Sequence, residues 1–134
     1  MLPLDDPLPW LLVDRRAAKV TAVHDETWLR IVDVPEALVV RQYVGDGTVT
    51  IAVHDPLLPR NSASFTITGE GAQPTDRRPQ LHVGVEGLAT VLLGGATWRS
   101  LAVAGLAKAD DPTALVVAAQ LFAGWQAPHA GFFF

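Results

Sequence analysis

The sequence predicts an α+β domain, with a mainly antiparallel sheet and helices packed on one face. Two neighbouring segments, 48–54 and 64–68, alternate apolar and polar residues in the manner of half-buried strands. Strand-like segments come first and can pair locally, whereas the helical patterns are concentrated after residue 86, an order typical of α+β domains. The chain has 134 residues, of which 49% are hydrophobic, enough for one domain with one core.

The first third of the chain contains a short helix or turn, an extended segment and a capped helix. Residues 7–16 predict the helix or turn, and residues 18–32 look extended on both sides of a turn at 24–26. Asp33 can cap a helix, with Pro35 in its first turn and Glu36 completing a capping box. We expect that helix to run to about Tyr43 and to stop at Gly45.

The remaining elements are predicted from the alternation of apolar and polar residues, from prolines and glycines that interrupt strands and helices, and from helix-capping residues. Two prolines make 55–61 a loop between the two strands, and residues 72–79 read as a polar loop after the turn at 69–71. The predicted elements beyond it are a strand at 81–85, helices at 87–93 and 97–104, an edge strand at 106–109 and a helix at 112–124.

Composition excludes several classes of function. The net charge is −4, which does not favour binding to phosphate backbones or anionic membranes. The absence of cysteine excludes disulfides, thiolate nucleophiles and thiolate metal sites. The start lacks the pattern of a secretion signal, and no apolar run approaches the ~18 residues of a membrane helix. We therefore expect a cytoplasmic domain.

One motif resembles a cofactor loop but stands in the wrong context. Residues 42–47 match Q-x-x-G-x-G, the pyrophosphate loop of acetyl-CoA-dependent acetyltransferases. That loop needs backbone amides at the start of a helix that follows a strand. Here a helix precedes and a strand follows, so we interpret the segment as a helix end and a turn. The sequence predicts no cofactor site in this chain.

No catalytic or metal constellation is visible in the linear sequence. The four histidines, His24, His54, His82 and His129, lack the spacing of metal ligands. No serine lies in a G-x-S-x-G elbow. The sequence alone therefore predicts neither an assembled active site nor a metal site.

The C-terminal part is poor in charged residues, which leaves three interpretations open. Its helices could wall an apolar tunnel, or the same residues could simply fill the core, since an apolar stripe at helical spacing is normally core. A third possibility is an apolar face that drives oligomerisation. The candidate tunnel residues are Leu88, Val91, Leu92, Leu101, Leu115 and Phe122.

The sequence ends in three phenylalanines, 132–134. Each gains roughly 1.5–3 kcal/mol on full burial, so we expect the tail to dock and to carry its α-carboxylate to a defined place. The carboxylate could then be the partner of a cation or a chemical group.

The order of several features resembles one family. They are Trp28 to Leu38 (WLRIVDVPEAL), Asp55 with Pro59-Arg60-Asn61, Leu93-Gly94-Gly95, Ala104-Gly105, and the end from Ala127-Pro128-His129 to Phe134. Together they are similar to the C-terminal region of the enhanced intracellular survival (Eis) acetyltransferases of actinobacteria. The resemblance covers roughly residues 6–134.

The resemblance implies a sterol-carrier-protein-like fold for a single domain, 1–134. Residues 1–26 would connect it to a preceding acetyltransferase region, and the whole would form homo-oligomers, commonly hexamers. Full members acetylate amines, including aminoglycosides, from acetyl-CoA, with their terminal carboxylate as general base. By this resemblance Phe134 would supply that carboxylate, while the tyrosine acid would lie in the absent region. The alternative is a stand-alone lipid or sterol carrier.

Overall fold

The computed structural model describes residues 2–24 and 27–130, and the described part contains one five-stranded sheet and five α-helices. The helices are α1 (Leu8–Leu11), α2 (Val34–Val40), α3 (Val85–Leu92), α4 (Trp98–Val103) and α5 (Pro112–Leu121). The strands are β1 (Thr48–His54), β2 (Ser64–Thr68), β3 (Gly71–Pro74), β4 (Leu81–Gly84) and β5 (Ala107–Ala109), and short 3-10 turns occupy Arg15–Ala17 and Pro59–Asn61.

The sheet has the order β3-β2-β1-β4-β5. Its β1–β2, β2–β3 and β4–β5 pairs are antiparallel, whereas β1 and β4 run parallel, so the sheet is mixed. The predicted α+β class with a mainly antiparallel sheet is confirmed. The parallel pair arises because the chain returns after β3 to the opposite side of β1, where β4 pairs with it.

The register places the apolar side chains of adjacent strands on one face. Val49 lies opposite Ile67, and Ile51 lies between Phe65 of β2 and Leu81 of β4. All five side chains are buried. Helices α3 and α5 pack on this sheet, and α4 packs on α5. The core therefore lies between the sheet and the helices, as the α+β prediction requires.

Several elements differ from the sequence prediction in their bounds or in their type. β3 lies within the predicted polar loop 72–79, because its backbone pairs with β2 and its side chains contribute little. Val85 begins α3 instead of ending a strand. α2 ends at Val40 because Arg41 is extended (ψ 139°), and α5 ends at Leu121. Residues 18–24 and 27–32 form no strand.

Candidate functional site

The described part of the C-terminal tail, residues 123–130, crosses the turn that follows α3. Gly94 has a φ of +80°, and a Cβ there would lie 3.1 Å from the amide nitrogen of Gly124. A Cβ on Gly95 would lie 3.0 Å from both Cγ and Cδ of Pro128. These two glycines therefore let the tail lie directly on the turn.

The N-terminal segment also contacts the tail. Oδ2 of Asp5 accepts a hydrogen bond from the backbone amide of Ala127 at 2.7 Å. The amide of Asp6 donates to the carbonyl of Pro3 at 3.2 Å, so Asp5 lies inside a closed turn. The two ends of the described chain thus meet beside α3.

Two adjoining pockets, of about 440 and 520 Å³, open where the tail leaves this contact. Both are lined by Thr27, Leu29, Leu93 and Pro128, and we call the combined space the tail-exit groove. The first pocket adds residues 2–4, 22–24, His129 and Ala130, and the second adds residues 28, 30, 31, 85, 86, 89 and 90. The groove is mainly apolar, with a few polar groups along one wall.

Arg30 fixes the wall formed by residues 27–31. Its Nη2 donates to both oxygens of Asp55, at 2.7 and 2.8 Å, and the Asp55 side chain is fully buried. Burial acts to raise the pKa of Asp55, but hydrogen bonds from Asn61, Arg30 and the amides of Leu58 and Leu57 outweigh it and hold this pKa well below its usual range. Asp55 is therefore a fixed anion that anchors this wall to the end of β1.

Asn61 connects this anchor to α2. Its Nδ2 donates to Asp55 at 2.8 Å and to the carbonyl of Val32 at 3.3 Å, and its Oδ1 accepts from the amide of Val34 at 3.1 Å. Asp33 caps the same helix by accepting from Glu36, as its sequence position predicts. The groove wall and the start of α2 are thus positioned by one buried polar cluster: Arg30, Asp55 and Asn61.

A second cluster holds the point where the tail begins. Arg41 donates to the carbonyl of Leu92 at the end of α3, and to the carbonyl of Phe122 after α5 at 2.6 Å. Its guanidinium lies 4.9 Å from the centre of the Phe122 ring. A cation is favourable at the negative ends of two helices. Arg41 therefore fixes the ends of α3 and α5 relative to each other.

The structure places the six predicted tunnel residues apart from the groove. Phe134 lies outside the described residues. Leu88, Val91, Leu101 and Phe122 are buried in the core, and Leu92 and Leu115 pack partly buried against it. None of these six lines the tail-exit groove. The apolar tunnel, and with it the lipid-carrier alternative, stays a prediction.

Sequence reasoning missed the residues that build the groove. Asp5 belongs to no motif, and Arg30 and Gly95 stand only within segments of the family resemblance, so that only the fold brings the three together around the tail. His24 and His129, distant in sequence, both line the first pocket. The Asp55 and Pro59-Arg60-Asn61 pattern, which belongs to the resemblance, is the feature of the sequence that points to this buried polar cluster.

The acetyltransferase-like loop has the context that the sequence analysis assigned to it. Residues 42–47 follow α2 and precede β1, and Gly45 has a φ of +96°. A helix start is therefore missing at this position, and with it the set of amides that would hold a pyrophosphate. Among the described residues, no helix has the length and apolarity needed to cross a membrane.

Comparisons with known proteins agree with the fold. N-acetyltransferase Eis of Mycobacterium tuberculosis is 34% identical over 113 residues, which cover 79% of this chain and 27% of the relative. An uncharacterized N-acetyltransferase of Streptomyces avermitilis is 39% identical over 117 residues, which cover 85% and 28%. The chain thus spans little more than a quarter of the length of these curated relatives.

Solved structures give the same result. The crystal structure of Eis1 from Mycobacterium abscessus superposes with a TM-score of 0.93 at 45% identity, over 98% of this chain and 34% of that one. A GCN5-related N-acetyltransferase from Anabaena variabilis superposes with a TM-score of 0.65 at 32% identity, over 73% and 26%. A family model described as "Sterol carrier protein domain" matches residues 34–131. The chain therefore belongs to the sterol carrier protein domain family, in a form similar to the one found in Eis-type N-acetyltransferases.

Proposed function

We propose that this chain is the sterol-carrier-like part of a cytoplasmic, acetyl-CoA-dependent amine N-acetyltransferase of the Eis type. It is not catalytic alone. It supplies the scaffold, an oligomer surface and the free carboxylate of Phe134, which removes a proton from the attacking amine. The docked tail carries this proposal, because a general base must be delivered to a defined place.

The reach of the tail supports this role. Ala130 is the last described residue and lines the first pocket. Four residues span at most about 14 Å when extended, which sets the greatest distance from Ala130 at which this proposal can use a terminal carboxylate. A free α-carboxyl has a pKa of about 3.5, whereas an efficient base has a pKa closer to 7. Burial beside an acetyltransferase region would raise it in that direction.

Exposed aromatic residues indicate where the acetyltransferase region packs. Trp10, Trp28 and Trp125 are 69, 88 and 98% exposed, although tryptophan is highly buried on average. Trp28 lines the second pocket and Trp125 lies in the tail. The relatives are about three times as long as this chain. We assign these aromatics to the contact with that additional chain.

The general acid must come from outside this chain. Tyr43 is the single tyrosine, and it is buried with its hydroxyl donating to the carbonyl of Leu38 at 2.8 Å. Burial raises the pKa of Tyr43 to about 12, while nearby Arg41 acts to lower it. A group held in this way cannot reach a substrate. The proposal therefore requires an acid from the acetyltransferase region.

The test uses a polypeptide in which an Eis-type acetyltransferase region precedes this chain, and we call it the joined polypeptide. Deletion of Phe134, or addition of one glycine after it, moves the carboxylate by one residue. We expect kcat for amine acetylation to fall about 10²- to 10⁴-fold, as for loss of a general base, with the KM for acetyl-CoA unchanged. Phe133→Leu keeps the carboxylate in place and is the matched control. Wild-type kcat in the deletion variant would overturn the role of Phe134.

The oligomer surface is tested separately by sedimentation velocity. The joined polypeptide should sediment as a discrete oligomer, and replacement of exposed apolar side chains other than the three tryptophans, such as Leu57 or Val103, should change its assembly. A monomer at every concentration would contradict this part of the proposal and leave the base assignment standing.

A further inference from the structure

We infer that Asp5 and Gly95 form a clasp that sets the direction in which the C-terminal tail leaves the domain. Both are therefore positioning residues for the C-terminal end of the chain. The consequence for catalysis rests on the proposed function, whereas the clasp itself does not. One contact comes from the N-terminal turn and the other from the turn that follows α3.

The first side of the clasp is a charge-assisted hydrogen bond. Asp5 accepts from the amide of Ala127 at 2.7 Å, across 122 residues of sequence. Bonds of this type are shorter and stronger than those between neutral groups. Pro3 and Leu4 of the same turn line the first pocket together with Pro128. The turn that presents Asp5 is therefore part of the surface along which the tail runs.

The second side of the clasp is a steric contact that only glycine allows. A Cβ on Gly95 would stand 3.0 Å from two atoms of the Pro128 ring, closer than ordinary carbon contacts. Gly95 does not have a positive φ, so its backbone conformation does not by itself require glycine. The space taken by Pro128 is the reason for glycine at this position.

The two contacts fall on neighbouring residues of the tail, Ala127 and Pro128, and this dipeptide has little conformational freedom. Proline fixes its own φ near −65° and restricts the preceding residue to extended conformations. Ala127 and Pro128 are thus stiff, and Pro128 has no amide hydrogen to bond elsewhere. One hydrogen bond on Ala127 and one contact on Pro128 therefore determine the orientation of residues 129 and 130, which line the pocket.

The clasp is tested by the release of C-terminal phenylalanine from the full chain by carboxypeptidase A. A held tail is cleaved slowly, and Asp5→Ala should raise the initial rate about tenfold, the scale of one charge-assisted hydrogen bond. Asp5→Asn keeps an acceptor oxygen and should raise it less. Gly95→Val should raise the rate more than Gly95→Ala. Asp76→Ala, in an exposed loop, is the matched control.

Thermal unfolding of each variant separates release of the tail from loss of the fold. The proposal expects unchanged midpoints for the two Asp5 variants together with faster cleavage. Wild-type cleavage rates in both Asp5→Ala and Gly95→Val would overturn it, as would an equal acceleration in Asp76→Ala.

The joined polypeptide distinguishes the clasp from the proposed function. Asp5→Ala should lower kcat without changing the pKa values of the pH–rate profile, because the base keeps its identity and loses only its placement. If deletion of Phe134 leaves kcat unchanged while Asp5→Ala still accelerates cleavage, the base assignment fails and the clasp stands. If Phe134 is essential while the Asp5 and Gly95 variants behave as wild type, the clasp fails alone.

Discussion

Nδ2 of Asn61 lies 2.8 Å from Oδ2 of Asp55, and both residues are almost fully buried. The same asparagine accepts from the first amide of α2, so a single side chain joins the buried anion to a helix start. Arg30 completes the cluster and carries one wall of the tail-exit groove. The same contacts therefore stabilise the fold and hold one wall of the tail-exit groove in place.

Asn61→Ala should lower the free energy of unfolding by about 2 kcal/mol or more, because it leaves a buried amide without its acceptor. Asn61→Asp should be more harmful at neutral pH, since it places a second carboxylate beside Asp55. Urea unfolding of both variants checks the order. Equal loss in the two variants would contradict the charge argument.

The free energy of unfolding should fall at acidic pH because Asp55 becomes protonated. Its folded pKa lies below the unfolded value, so the unfolded state binds more protons between the two values. The stabilisation is present above the unfolded pKa of about 3.9 and is lost as pH falls towards the folded pKa. Asp55→Asn should flatten the dependence of the urea midpoint on pH below about 4. An unchanged slope would contradict this assignment.

Tyr43 should resist ionisation in the folded protein. Its pKa is raised to about 12, whereas the unfolded value is 10.0. A raised pKa gives stability that is present below pH 10 and is lost as pH rises through the folded pKa. Because this is the single tyrosine, absorbance at 295 nm reports it directly. Titration near 10 with the fold intact would be the contrary result.

Arg41→Gln should cost about 2 kcal/mol, because it removes a cation from two carbonyl groups at helix ends. Arg41→Lys should recover only part of this stability, since one ammonium cannot reproduce the planar fork of a guanidinium. Urea unfolding measures both variants. Full recovery by lysine would show that charge alone matters at this position.

Leu88→Ala distinguishes a core from a tunnel. Leu88 is fully buried, so we expect the free energy of unfolding to fall by about 3 kcal/mol, a typical value for a core leucine. Leu93→Ala, at an exposed position of the same region, should change stability by less than about 0.5 kcal/mol. A small loss at Leu88, together with a bound lipid seen by native mass spectrometry, would favour the tunnel.

The local patterns were predictable where side chains alone decide the structure. Alternation located β1 and β2, and Asp33 caps the helix that its position predicted. β3 escaped prediction because it is stabilised by backbone pairing with β2, which leaves little trace in its side chains. The early end of α2 has a tertiary cause, because Arg41 turns out of the helix to reach α3 and α5.

The sequence by itself determined the α+β class and the order of most elements, since these depend on the period of apolar residues, on helix caps and on the prolines and glycines that end elements along the chain. Only the tertiary structure decided that Asp5 meets Ala127, that Arg30 and Asn61 surround Asp55, and that Gly95 makes room for Pro128. Those contacts join residues far apart in sequence, and they exist only once the sheet and helices have fixed the positions of both partners.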